Sequence, residues 1–571
     1  MNNDITIRIA GEAGQGIQTI GSLLCAIFKG AGLHLFANQD YMSRVRGGNN
    51  FFQLRIADKP IYTLRQKPDI TVALDKQSVA LHKPDLASGG IIVLDKNKYG
   101  LIEEGNNFFN VPFYDLANTI GGSDIFVNAV CCGAVQALTG GSFDDLERVI
   151  KISFMDKGEE IIGKNIKAAQ AGHEFVQTNF KENKFKVKPA ISIESLLMNG
   201  NEAIALGAIR AGCKFYSAYP MTPSTTIMET VAHYADRFNI IVEQAEDEIA
   251  AINMIIGASF AGVRSMTATS GGGFALMVEG LSLAAMTETP IVVVDAQRPA
   301  PATGFPTRTE QADLNFLIHA GHGEFARVIY CPGTIEEAFY LTIKAFNTAE
   351  KYQIPVLIMT DQHLADSLRD IQPLDLNKIK VQRSIISRED SEKITGYKRY
   401  QFSDSGISPR AIPSWINDVI YADSDEHNEE GHITEDAEMR MRMVEKRFHK
   451  KMSGLSQELE KPTVYNINNA TQILLGFGST YGVLKEVSET LGQDFGFIHL
   501  SQIWPFPASE IRGLLKDKKS IITVENNAAG QLAGLLMRET GIKADASILR
   551  YDGRPFNLDY LIEKIKELKH K

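Results

Sequence analysis

Cysteine is scarce in this 571-residue chain, and none of its five thiols, Cys25, Cys131, Cys132, Cys213 and Cys331, stands in the C-x-x-C spacing of zinc and iron–sulfur sites. Their apolar surroundings mark them as buried thiols, so any redox centre that a reaction needs is expected on another chain. No apolar run reaches the length of a bilayer span, and Met1-Asn2-Asn3-Asp4 leads into strand-like ITIRIAG without the regions of a signal peptide. Both absences argue against a membrane and for a cytoplasmic protein. Positive charge is not in excess: 59 Lys and Arg stand against 69 Asp and Glu, a net charge of −10, which gives no electrostatic footprint for nucleic acid. There is no short-period repeat, which excludes a solenoid. Hydrophobic content of 44% and charge of 22% exclude disorder, and the length exceeds what one core usually spans.

Apolar runs separated by glycine turns and amphipathic stretches make the expected fold class α/β, multidomain, with parallel sheets covered on both faces. Residues 1–185 form a first block, with ITIRIAG, then GEAGQGIQTIGSLLCAIFKGAG, then the strand patterns DITVALD and GGIIVLDK. The polar, basic KENKFKVKPA has the composition of a linker. In the second block, 191–385, strand patterns recur at SMTATS, PIVVVDAQ and IPVLIMTDQ. Residues 386–465 are charged and poor in strand patterns, and read as an insert. The last block, 466–571, returns to strand, turn and helix with TQILLGFGSTYG, FGFIHLSQIWPFP and SIITVENNAAGQL.

Ligand chemistry in α/β proteins sits where strands meet helices, and several polar stretches occupy such places. Gly11, Gly14 and Gly16 open a helix after a strand, in the spacing G-x-x-G-x-G, which suits tight helix–strand packing as well as an anion site. Arg44 and Arg46 stand next to a double glycine and suit either phosphate or carboxylate binding or a solvated turn. In YPMTPST, Pro220 and Pro223 bracket Thr222 and fix its backbone. In QAEDEIAAINMIIGASFAG, Glu248 leads a helix with a small, apolar face, and burial of a carboxyl there disfavours its charge. Read alone, Glu246, Asp247 and Glu248 equally suit a helix N-terminus. TATSGGG, with Ser270 and Gly271, allows close backbone approach to a ligand or simply a tight turn. Arg298 follows PIVVVDAQ at a strand's carboxyl end, where a carboxylate substrate or a salt bridge would both fit. DSDEHNEEGHITED, with His427 and His432, reads as a solvated acidic loop, and no metal is assigned.

Taken in order, YPMTPST, Glu248 with Gly257-Ala258 and Ala261-Gly262 downstream, TATSGGG and QRPAPATGFPTRTEQADL resemble the α subunit of thiamine-diphosphate-dependent 2-oxoacid:ferredoxin oxidoreductases. GEAGQG and SRVRGG are similar to that family's γ domain, fused ahead of the α domain. GFGSTYG, WPFP and VENNAAGQL are similar to its transketolase-C-like domain. The resemblance implies a γ-type domain at 1–185, a thiamine diphosphate pyrimidine-binding domain at 191–385, the insert at 386–465 and a transketolase-C-like domain at 466–571. It implies that Glu248 meets the aminopyrimidine ring as the catalytic acid–base, with Glu246 as second choice. Thr222, Arg298 and Thr307 would hold the substrate, Thr222 and Arg298 acting in catalysis, and Tyr219, Pro220, Ser270 and Gly271 would line the cofactor. Thiamine diphosphate would be shared with a β subunit that carries Mg2+ and a [4Fe-4S] cluster; this chain has no GDG motif with a following Asn pair to hold Mg2+ and diphosphate. Coenzyme A would be the co-substrate, ferredoxin the acceptor and (αβ)2 the assembly. Among substrates the fused chain points to 2-oxoglutarate, with pyruvate, branched-chain or broad-range 2-oxoacids as alternatives. A CoA- or nucleotide-binding scaffold would explain the glycine turns but not YPMTPST beside the Glu248 helix.

Overall fold

The computed structural model describes residues 4–43, 47–101, 105–182, 184–188, 194–517 and 520–569. Arg44 and Arg46 lie outside the described residues. The chain divides into two compact units, the first comprising Met1–Met198, Ser367–Pro373 and Asn557–Glu567, the second Asn199–Asp366, Leu374–Phe556 and Leu568–Lys571.

The first unit is built on an eight-stranded sheet of β1 (Asp4–Ala13), β2 (His34–Asp40), β3 (Gly47–Ala57), β4 (Ile70–Ala73), β5 (Ile91–Leu94), β6 (Phe108–Asn110), β7 (Leu196–Met198) and β14 (Leu368–Ile371). Its order is β6-β5-β4-β1-β3-β2-β14-β7. The sheet is mixed, where the sequence pattern suggests a parallel one. β1 runs parallel to β4 but antiparallel to β3, with Ile5 opposite Ile56 and Ile7 opposite Leu54. The hairpin of β2 and β3 carries amides and charges in strand positions (Asn38, Gln53, Arg55), which hides it from hydropathy. Arg55 is nevertheless buried, because Asp4 receives its guanidinium in two bonds of 2.8 Å. β7 and β14, from sequence positions beyond 191, pair in this sheet.

The second unit holds two sheets. The larger contains β8 (Cys213–Ala218), β9 (Ile241–Gln244), β10 (Arg264–Thr269), β11 (Ile291–Gln297), β12 (Val328–Tyr330), β13 (Pro355–Asp361) and β18 (Gln502–Trp504), in the order β18-β12-β13-β11-β10-β8-β9. All pairs among β8 to β13 are parallel, and β10, β11 and β13 are buried along their whole length as central strands of such a sheet are, while the edge strand β9 is largely exposed. The smaller has β15 (Thr463–Tyr465), β16 (Gln472–Phe477), β17 (Phe495–Leu500), β19 (Ser520–Glu525) and β20 (Ala546–Leu549), ordered β15-β17-β16-β19-β20. One apolar core runs through both sheets, from Ile252, Phe274 and Val293 to Leu475, Ile498 and Leu535.

The insert is fastened by buried charge. Glu288, fully buried, receives the ammonium groups of Lys446 and Lys451, and Arg399 donates to its carbonyl at 2.7 Å. Burial alone would raise the Glu288 pKa, yet these three cations hold it below the usual carboxylate range. Glu350 likewise faces Arg410 of the insert at 3.8 Å, beside Arg264 at 2.8 Å and Arg383 at 2.9 Å. The acidic loop is not uniformly solvated. His427 is buried with its ring 4.1 Å from that of Tyr400, and Glu426 pairs with Arg440 and Arg447. Ion pairing draws into the interior residues that composition places outside.

Candidate functional site

After β8 the chain crosses to β9 on one side, and after β9 it returns to β10 on the other side of β8. The carboxyl ends of β8 and β10 therefore flank a topological switch point, where ligands bind in open parallel sheets. YPMTPST follows β8, TATSGGG ends β10 and opens the helix Gly271–Met286, QRPAP follows β11, and Glu248 starts the helix Glu248–Phe260 that leads into β10. Motifs spread over a hundred residues of sequence are thus carried to one edge of one sheet.

The three consecutive acids separate by environment. Glu246 is exposed, while Asp247 is the N-cap and accepts the Ala250 amide at 2.7 Å. Glu248 is only 3% exposed, and its Oε1 has no hydrogen-bond partner among the described residues. An unpaired buried carboxyl oxygen costs roughly 1–3 kcal/mol or more, so its presence asks for a ligand. The glycine turn packs directly against it: a Cβ on Gly273 would lie 2.5 Å from Glu248 Oε1 and 2.0 Å from Thr269 Oγ1. None of Gly271, Gly272 and Gly273 has a positive φ, so close approach and not backbone conformation is what requires glycine at 273. Ser270 stands at the N-cap but does not cap; its hydroxyl instead reaches Met221 Sδ at 2.8 Å, tying the loop after β8 to the end of β10.

Thr222 and Arg298 are brought together, Arg298 Nη1 donating to the Thr222 carbonyl at 2.7 Å. The guanidinium is half-buried, and burial lowers its pKa without discharging it. Tyr219 is 41% exposed at the start of the same loop, followed by the partly covered Pro220. Beyond Arg298 the loop folds back at Gly304 (φ +52°), where the Phe305 amide bonds the Pro299 carbonyl at 3.1 Å and a Cβ would fall 1.6 Å from that oxygen. Thr307 is buried farther along, two residues before Thr309, whose hydroxyl lies 3.3 Å from Asp361 at the end of β13.

Two further acids border the site. Asp295 on β11 is the register neighbour of Thr269, is 1% exposed, and neither carboxyl oxygen has a partner among the described residues. Burial first, then the charge of Asp313, raises its pKa well above the ordinary value. Asp313 is pushed up to about 6, by burial and then by Glu310. Its Oδ2 would be 2.3 Å from a Cβ on Gly271, so it sits against the first turn of the glycine helix. The motifs do not single out Met221, Asp295 or Asp313, although an acid inside the apolar run PIVVVDAQ is a visible anomaly. The cysteines are all buried, with burial raising every thiol pKa. Among the described residues no cluster of His, Cys, Asp and Glu could hold a metal ion, and no single helix is long and apolar enough to cross a membrane.

The chain is similar to known proteins along most of its length. Residues 206–446 match the family model described as pyruvate flavodoxin/ferredoxin oxidoreductase, thiamine diP-bdg; residues 6–175 match pyruvate ferredoxin/flavodoxin oxidoreductase, and 470–556 match pyruvate:ferredoxin oxidoreductase core domain II. A 2-oxoacid:ferredoxin oxidoreductase subunit alpha of Sulfolobus sp is 33% identical, covering 98% of this chain and 96% of that protein. The 2-oxoglutarate synthase subunit KorA of Methanothermobacter marburgensis is 31% identical over 66% of this chain and all of its own length. Among solved structures, 2-oxoglutarate:ferredoxin oxidoreductase from Magnetococcus marinus, with 2-oxoglutarate, coenzyme A and succinyl-CoA bound, superposes with a TM-score of 0.93 at 32% identity, covering 99% of this chain and 100% of that one.

Proposed function

The chain belongs to the 2-oxoacid:ferredoxin oxidoreductase family, and from that premise we propose that it is the alpha subunit, with a fused γ-type domain, of an enzyme converting 2-oxoglutarate and coenzyme A to succinyl-CoA and CO2. Electrons pass singly to ferredoxin. Thiamine diphosphate, when bound, supplies the electron sink on which the 2-oxoacid loses CO2. The residues fit that group: a buried carboxyl oxygen without a partner among the described residues lies against a turn of three glycines, which suits a hydrogen bond to a planar ring nitrogen.

Glu248 would share a proton with that ring nitrogen in the hydrogen bond and exchange it with the ring, the low-dielectric setting strengthening the interaction. Ser270 and Gly271, with Tyr219 and Pro220, would border the ring. Arg298 would take the 2-oxoacid carboxylate with the donors it does not spend on Thr222, while the Thr222 and Thr307 hydroxyls orient the substrate. We assign Mg2+, the diphosphate grip and a [4Fe-4S] cluster to a β subunit in a cytoplasmic (αβ)2 assembly.

The observation that carries this reading is the partnerless Glu248 Oε1 over the Gly271–Gly273 turn, at the switch point and beside the Thr222–Arg298 pair. The test is a substrate panel on the co-purified complex. Reduction of a viologen dye that needs both 2-oxoglutarate and coenzyme A, with succinyl-CoA as product, is the expected result. Stronger turnover with pyruvate would move the substrate, and absence of any 2-oxoacid dependence would remove the function.

A further inference from the structure

We propose that Asn201, which no sequence motif marks, is a positioning residue for the 2-oxoacid end of this site; the proposal rests on the functional reading above. The carbonyls of Met221, Thr222 and Pro223 each receive one side-chain donor from a different place. Ser224 Oγ donates to Met221 at 2.7 Å, Arg298 Nη1 to Thr222 at 2.7 Å and Asn201 Nδ2 to Pro223 at 2.7 Å. Three consecutive carbonyls held in this way leave the loop little freedom, and the Thr222 side chain projects from its middle. Ser224 belongs to the loop and Arg298 is itself a ligand-facing group, so Asn201 is the anchor independent of both.

Its platform is rigid. The helix Gly200–Arg210 begins with a capping box in which Asn199 and Glu202 satisfy each other's backbone amides. Gly200 packs so closely on the Leu364 carbonyl that a Cβ would come within 2.3 Å of it. Asn201 is fully buried, and its Nδ2 also lies 2.5 Å from Thr226 Oγ1 on the following helix. The Nδ2 bond to a carbonyl fixes which end of the amide is the donor, and Oδ1 is left without a partner among the described residues. Leucine or methionine would fill this volume without that cost, but neither could donate to Pro223. The arrangement favours loop geometry over stability, as sites that hold a reacting group often do.

The displaced carbonyl would carry Thr222 with it and loosen the Arg298 guanidinium that bonds the adjacent carbonyl. The consequence is specific to the 2-oxoacid and leaves coenzyme A binding alone. Asn201→Ala, Asn201→Asp (same shape, donor lost) and Thr226→Ala are compared with wild type in the assembled complex. The readouts are KM for 2-oxoglutarate and for coenzyme A, thiamine diphosphate content, and calorimetric affinity for oxalate, an unreactive stand-in for the 2-oxoacid head. For both Asn201 variants KM for 2-oxoglutarate should rise about tenfold or more and oxalate should weaken in step, since small misplacements at a reacting centre have effects of that size. KM for coenzyme A and cofactor content should hold, and Thr226→Ala should resemble wild type. Unchanged 2-oxoglutarate KM and oxalate affinity in either Asn201 variant, or a joint loss of both substrates and the cofactor, overturns the proposal. A wild-type complex with no 2-oxoacid dependence overturns the functional reading first, and this one with it.

Discussion

Arg298 donates to the carbonyl of Thr222 at 2.7 Å across 76 residues of sequence, so the loop after β8 and the loop after β11 are tied directly to each other. Truncating the arginine therefore removes a charge and frees a loop together. For Arg298→Ala, 2-oxoacid binding should weaken by about 2–5 kcal/mol, the usual loss when one member of a desolvated charge pair is removed. Arg298→Lys keeps the charge without the planar fork and should recover only part of it. Steady-state kinetics in 2-oxoacid checks both, and an unchanged KM for Arg298→Ala would contradict the assignment.

Glu248→Gln keeps the shape of a buried side chain and removes its acid–base function. Folding and assembly should survive, while 2-oxoacid-dependent dye reduction should fall by at least about 100-fold, within the range that general acid–base groups contribute. Near-normal turnover of a well-folded variant would sink the proton role.

Gly273→Ala sets propensity against space. In a helix, alanine is favoured over glycine by about 1 kcal/mol. Here the added methyl would meet Thr269 Oγ1 at 2.0 Å and Glu248 Oε1 at 2.5 Å, an overpacking that typically costs about 1–3 kcal/mol. The expected outcome is a lower melting temperature together with loss of thiamine diphosphate from the purified complex; a more stable, fully loaded variant would refute the packing described.

Glu288 balances Lys446, Lys451 and the Arg399 guanidinium in the interior. Glu288→Gln leaves buried ammonium groups uncompensated and should destabilise by about 3–5 kcal/mol in chemical unfolding. Because the folded-state pKa is depressed, the carboxylate's contribution is complete above its unfolded value and is lost as pH falls through the folded one. The gap between wild type and variant should therefore narrow in acid.

Asp313 shifts the opposite way, from an ordinary value of 3.8 to about 6. Between those values the folded chain binds more protons than the unfolded one, so this group makes stability fall as pH rises through the window. Asp313→Asn removes this pH-dependent contribution. Relative to wild type, the variant should gain stability between pH 4 and pH 7; a difference independent of pH would argue against the buried acid.

Much of the larger unit is legible without coordinates. SMTATS, PIVVVDAQ and IPVLIMTDQ are apolar runs of strand length, and they become β10, β11 and β13, because buried parallel strands are written as continuous hydrophobic residues. The β2–β3 hairpin and the insert are harder to read, since their stability comes from pairs such as Arg55 with Asp4 and Lys451 with Glu288, whose partners lie far away in sequence.

The ordered motifs that carry the family resemblance name Tyr219, Thr222, Glu248 and Arg298 as candidates, because residue type sets charge, donors and backbone freedom, while single motifs such as the Glu248 and Arg298 stretches also suit structural roles. What tertiary structure decided is which acid is withheld from water, which carbonyl Arg298 grips, and that Asn201, Met221 and Asp313 belong to the same neighbourhood. Those outcomes depend on strand order: β8 and β10 become adjacent only after the chain has gone out to β9 and back, and distances set by such a crossover are written in no local stretch of sequence.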